Sequence, residues 1–149
     1  MIKISGIAIR QRSRAPMQTI SDALVSTESG VAGDFRGKPG KRQVTLLSEN
    51  IWQQVCEQMQ QSMPWTTRRA NLLISGYQFS AADVGKQVKI GELILQICKE
   101  TEPCPRMDEQ YQGLTAKLAP DWRGGVCCRV IQSGHIEVGD RVIINHAAE

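Results

Sequence analysis

Histidine is nearly missing from this sequence: there are two, His135 and His146. Aromatic residues are scarce as well, with three Trp, two Tyr and two Phe among 149 residues. The first shortage argues against a zinc site, because no C-x-x-C pair makes up for it. The second argues against base stacking on a nucleic acid, and a net charge of +3 is too small to bind one by charge alone. No apolar run reaches the length of about eighteen that a spanning helix needs, so no membrane helix is expected. The start, "MIKISGIAIRQRSR", is too short and too interrupted for a signal peptide. Five cysteines are an odd count in a chain of this size, which argues against a secreted disulfide framework. The expected location is the cytoplasm, with no nucleic acid and no membrane as partner.

What is present suits one domain over residues 1–149: 41% of residues are apolar and 22% charged. Ile2, Ile4 and Ala8 alternate with Lys3 and Ser5, which predicts a first strand. Residues 11–20 are polar and predict a loop, and 21–29 fit no period clearly. Val44 to Leu47 predicts a short buried strand. Ser48 is a good N-cap, and Ile51, Trp52, Val55, Cys56 and Met59 then recur at helical spacing, predicting one helix from about Ser48 to Gln61. From residue 70 onward the pattern is β. "ANLLISGY" is one strand. "KQVKIGELILQI" is a hairpin turning at Gly91-Glu92. "GLTAKLA" suggests a short helix. "GVCCRVIQSGHIEVGDRVIIN" gives strands joined at Ser133-Gly134-His135 and at Gly139-Asp140. The fold class expected is mainly β with a few helices, as a mostly antiparallel, closed or partly closed barrel.

Four of the cysteines read as packing residues or stay open. Cys56 lies on the apolar face of the helix, Cys98 ends a strand, and Cys128 shares a face with Val126 and Val130. Cys127 shares its face with Arg129, and its role is open. Cys104 differs. It sits in "TEPCPRM", between two prolines that fix φ and remove backbone donors. Such a loop is stiff and outside any ladder. Arg106 is two residues away, and a neighbouring guanidinium favours a thiolate. The pattern fits either an incidental loop cysteine or a thiol held for use.

Three cationic stretches accompany it. "GDFRGKPGKR" puts Arg36, Lys38, Lys41 and Arg42 in a glycine-rich loop, which suits a phosphate or simply a solvated surface. It is not a Walker A loop, since Pro39 stands where Ser or Thr would bind magnesium. Glycines and like charges predict a poorly ordered segment over 32–42. Arg68-Arg69 before Asn71, and Arg123 before Gly124-Gly125, are the other two. Together with one exposed thiol they suggest an anionic ligand presented to sulfur.

Five pieces occur in an order that resembles the molybdenum-cofactor sulfurase C-terminal (MOSC) domain family. They are "GVAGDFRGKPGKRQVTLLSE", "TRRANLLISG", "VGKQVKIGELILQI", "EPCPRMDE" and "GGVCCRVIQSGHIEVGDRV", covering about residues 26–144. The resemblance implies a β-rich, barrel-like fold and binding of the molybdenum cofactor, a pterin carrying a dithiolene and a phosphate. It places the family's key cysteine on Cys104, as a metal ligand in members that reduce N-hydroxylated compounds or as a sulfur carrier in sulfurases. Arg106, Arg68, Arg69 and the Arg36–Arg42 loop would then pair with the phosphate, and Asn71 with pterin edges. The chain departs from members with a second motif cysteine, having Met107 there. The 149 residues hold no pyridoxal-phosphate desulfurase domain of the kind fused members carry. Persulfide, and pyridoxal phosphate with it, would therefore involve a separate cysteine desulfurase. A reductase would need an electron-transfer partner. Three functions follow as expectations: a molybdenum-dependent reductase, a persulfide carrier, or a non-catalytic pterin- or anion-binding barrel.

Overall fold

The computed structural model describes residues 1–146. In chain order the elements are β1 (Lys3–Ile9), β2 (Gln18–Ile20), β3 (Asp22–Ser26), β4 (Gly30–Val31), β5 (Val44–Ser48), α1 (Glu49–Met59), β6 (Leu72–Ser75), β7 (Gln87–Ile90), β8 (Leu93–Glu100), α2 (Met107–Gln110), α3 (Leu114–Leu118), β9 (Val126–Gln132), β10 (Gly134–Glu137) and β11 (Ile143–Asn145). Eight strands form one sheet in the order β11-β7-β8-β9-β5-β6-β1-β2. Within it only β5 and β6 run parallel. The sheet curls into a half-barrel that stays open. β1, next to the β2 edge, meets the residues just before β11 through an isolated antiparallel bridge, with Ile4 N to Asp140 O at 2.9 Å, Gly139 N to Ile4 O at 2.8 Å and Val142 N to Ile2 O at 2.9 Å, without a continuous ladder. The expected mainly β, mostly antiparallel and partly closed architecture is the one observed.

β5 and β6 are buried on both faces, and their sequences show why. Successive strand residues point to opposite sides. Leu46 and Leu72 enter one core with Ile4, Ile7, Ile90, Leu95 and Ile97. Leu47 and Leu73 enter a second core with Ile51, Trp52 and Val55 of α1 and with Leu114 and Leu118 of α3. A parallel pair needs a crossover, and α1 supplies it on that second face. Ser48 caps the helix by accepting from Ile51 N at 3.3 Å. Gln60 ends it in the left-handed region, φ 54°. Burying Ile51, Trp52 and Val55 contributes about 1.5–3 kcal/mol each.

Three segments differ from expectation. Residues 18–20, read as loop, form β2, a polar edge strand held only by β1. Residues 21–29, read as undecided, contain β3, which joins β4 and β10 in a separate three-stranded sheet. Ala23, Val25, Val31 and Ile136 of that sheet seal the first core. Gly134 and His135, read as a turn, begin β10 itself, so Ser133 alone separates β9 from the strand that leaves for the other sheet.

Candidate functional site

The site lies beside the starts of β5 and β6, where five chain segments meet around a cavity of about 480 Å³. Cys104 lines it together with Arg36, Arg42, Arg68, Arg69, Asn71 and Arg106. Residues far apart in sequence thus share one cleft. Thr45, Thr101 and Gly124 complete much of the floor, and Arg10, Arg14, Asp34, Glu102 and Glu109 stand around it. Seven arginines face three carboxylates, so the cavity carries a clear positive excess.

Thr101 to Cys104 lies outside any helix or strand, in keeping with the two prolines. Beyond it the chain turns into α2 rather than staying straight, because the Cys104 carbonyl accepts Met107 N at 2.9 Å. Thr115 Oγ1 donates to the same carbonyl at 3.0 Å. The Cys104 backbone is therefore fixed from two sides while its side chain is left exposed. Of the five cysteines it is the exposed one: Cys127 and Cys128 are buried, and Cys56 and Cys98 are half-buried. Burial pushes the Cys128 thiol well above its ordinary range, so it stays protonated and inert. Cys127, left open on sequence, is packed against the Thr101 hydroxyl at 3.2 Å. Brief iodoacetamide labelling of the native protein, followed by peptide mapping, should modify Cys104 first. Earlier modification of Cys127 or Cys128 would contradict this placement.

Arg68 is not the free phosphate ligand that the sequence suggests. It is 7% exposed. Its Nη2 donates to Thr101 O at 2.8 Å and its Nε to Gly124 O at 3.1 Å. The guanidinium thus pins the Cys104 loop and the β9 entry to the floor. Its bonded partners are neutral carbonyls and a thioether, with no carboxylate in contact among the described residues. Burial lowers its pKa, and a nearby charged Cys104 or Cys127 would raise it. Guanidinium remains charged throughout any ordinary pH range, so the floor presents a buried cation. Asn71 is also committed to structure. Its Oδ1 accepts from Thr45 N at 3.0 Å and Thr45 Oγ1 at 3.2 Å, and its Nδ2 donates to Ala8 O at 3.2 Å. It ties β1 to β5, leaving a single side-chain N–H for a ligand.

Arg69 adopts φ 65°, a left-handed conformation sparsely populated by residues other than glycine, and donates to Ala15 O at 3.2 Å. Lys38 and Lys41 are not among the residues lining the cavity, although Arg36 and Arg42 on either side of them are. The first half of their loop is tied to its surroundings. Asp34 accepts Arg10 N at 3.0 Å and Arg36 N at 3.2 Å, and Gln43 Nε2 donates to Gly37 O at 3.1 Å. These bonds anchor the first part of the loop, through residue 37. Arg123 turns to Gln58 Oε1 at 3.0 Å, outside the cavity. Arg10 and Arg14 were missed in the sequence, although "RQRSR" sets three arginines within five residues.

No helix of the described residues is long and apolar enough to cross a membrane. No curated protein matches the chain. Among solved structures it is similar to YuaD of Bacillus subtilis, at 15% identity and a TM-score of 0.83, covering 99% of this chain and 98% of that one. It is similar to YiiM of Geobacillus stearothermophilus, at 15% identity and a TM-score of 0.78, covering 98% and 76%. YiiM of Escherichia coli follows at 12% identity and 0.75, covering 98% and 71%. Such identities establish a shared fold. The model of the MOSC domain matches residues 8–143, nearly the whole chain, and the chain therefore belongs to the MOSC domain family.

Proposed function

We propose that the chain binds the molybdenum cofactor, with the phosphate end among the arginines and the metal end at Cys104. The observation that carries this reading is the single cavity that holds both an exposed thiol and an excess of guanidinium groups. The donor set fits. Among the described residues there is no group of three His, Cys, Asp or Glu side chains able to hold a metal ion. A metal here would need to arrive with ligands of its own, as one chelated by a dithiolene does. When bound, the cofactor supplies a redox-active metal suited to removing oxygen from N-hydroxylated compounds. Cys104 offers one soft ligand. Arg42, Arg69 and Arg106 offer bidentate contacts to phosphate oxygens. Arg68 holds the thiol loop in place, and Asn71 keeps the floor rigid.

A second reading makes Cys104 a persulfide carrier served by a separate cysteine desulfurase. The exposure of its side chain favours this, since a carrier sulfur has to reach a partner. Protein produced in cells that make the cofactor decides between them. Molybdenum and pterin at near one per chain, by elemental analysis and fluorescence of the oxidised pterin, are expected. Absence of both, with a mass increment of one sulfur on the Cys104 peptide, would replace the first reading by the second.

A further inference from the structure

Gln43 does not line the cavity. It is a polar side chain buried at 2% exposure, and both ends of its amide are engaged. Nε2 donates to Thr27 O at 2.9 Å and to Gly37 O at 3.1 Å, and Oε1 accepts from Val130 N at 2.9 Å. One amide thus ties three segments: the β3–β4 turn, the cationic loop and β9. The strand register shows why a side chain does this. Val44 pairs with Cys128 and Thr45 with Cys127, so the backbone of Arg42 would face Val130 if β5 began two residues earlier. A buried backbone N–H has to find an acceptor. Gln43 supplies it from its side chain, and the backbone of Arg42 is released from the ladder.

The bond to Gly37 closes the cationic loop upon itself. Residues 38–42 are exposed and form no hydrogen bond with another segment among the described residues. Arg36 precedes Gly37 and Arg42 precedes Gln43, so joining 37 to 43 brings both arginines to the cavity. Lys38 and Lys41, between the joined ends, are not part of its lining. Gly37 permits the approach, since a Cβ there would collide with Ser29 O. Neither the Arg36 nor the Arg42 guanidinium forms an ion pair among the described residues, so the backbone that carries them sets where they are held. We infer that Gln43 is a positioning residue of the anion site, joining the loop ends so that Arg36 and Arg42 face one ligand. The inference rests on the phosphate end of the proposed cofactor site. A loop fixed before its ligand arrives costs little further ordering on binding, so loss of the amide shows as lost affinity.

Calorimetric titration of cofactor-free protein with orthophosphate tests it. Gln43→Met keeps the length of the side chain, removes the amide and should lower phosphate affinity about tenfold. In a background of Arg36→Gln with Arg42→Gln, the same change should have less than about a twofold effect, because Gln43 acts through those two side chains. The Nε–H resonances of Arg36 and Arg42 should move in Gln43→Met without any ligand, while that of Arg69 stays. Val55→Ala, in the second core, is the control. It should lower the melting temperature as well, yet leave phosphate affinity within about twofold of the parent. Gln43→Asn, polar but one methylene short of its three partners, takes the place of Gln43→Met if that variant is poorly folded. Parent-like affinity in the folded variant, or an equal loss in the background without Arg36 and Arg42, would overturn the inference while the cofactor reading stands. A parent that carries no pterin and binds no phosphate would reject the cofactor reading. The arginine resonances then decide the inference: it stands if they move with Gln43 and falls if they do not.

Discussion

Arg68→Met should lower the melting temperature by roughly 10 °C and abolish anion binding. Methionine fills about the same space but donates nothing. Thr101 O and Gly124 O would each lose a charge-assisted bond inside the protein, at about 1.5–3 kcal/mol apiece. In a domain of this size each kcal/mol is worth about 2–4 °C or slightly more. Gly124→Ala should act through the same place from the other side. A Cβ at Gly124 would lie 2.5 Å from Thr101 O and 3.0 Å from Arg68 Nη2, so the clamp would have to open. Circular dichroism melts of both variants measure the effect. A change of under about 2 °C in each would mean that the guanidinium is dispensable to the fold and free for ligand. Arg69→Ala, by comparison, should weaken anion binding with little loss of stability, since Arg69 makes one long-range carbonyl bond and is only half-buried.

Cys104→Ser should have the opposite profile. The side chain is exposed and its backbone is held by Met107 N and Thr115 Oγ1. Neither contact needs sulfur, so the melting temperature should stay within about 1 °C of the parent. The chemistry should disappear. A hydroxyl is a hard, neutral ligand near pH 7 and cannot carry a persulfide. Turnover of an N-hydroxylated substrate, or sulfur loading from a desulfurase, should fall at least about a hundredfold, while phosphate binding in the arginine-lined cavity is retained. Retained turnover and retained sulfur loading in Cys104→Ser would remove the thiol from the function and leave an anion-binding barrel.

Much of the fold can be read from local pattern. The β7–β8 hairpin and α1 follow directly from alternation and from a helical stripe behind Ser48. The three-stranded sheet does not. In β3, Ala23 and Val25 face the core, but Leu24 on the outer face is apolar as well and is 53% exposed, so the alternation is blurred. Its partner β10 lies more than a hundred residues away. The site shows the same division. The two prolines around Cys104 act on their own neighbours, so the thiol loop is legible. Arg68 and Asn71 are satisfied by backbone atoms from remote segments, and a sequence carries no mark of a carbonyl waiting 56 positions further on. Side chains that look like ligands for a cofactor were therefore partly ligands for the protein itself. Arg10 was hidden differently: it closes an apolar strand, where a charge reads as solvent.

The reach of Arg68 also dates the site within the life of the chain. Its bonds span 33 residues to Thr101 and 56 to Gly124, and the thiol loop cannot be pinned before both have emerged from the ribosome. Contacts of such separation carry a loop-closure cost that has to be met before they stabilise anything, and they tend to form late in folding. A nascent chain that has completed β1 to β6 already displays most of the arginines, yet it has no floor on which to hold Cys104. Cofactor or sulfur delivery would then be confined to finished protein. A reactive thiol would not be matched with an anionic ligand while most of the barrel was still being made.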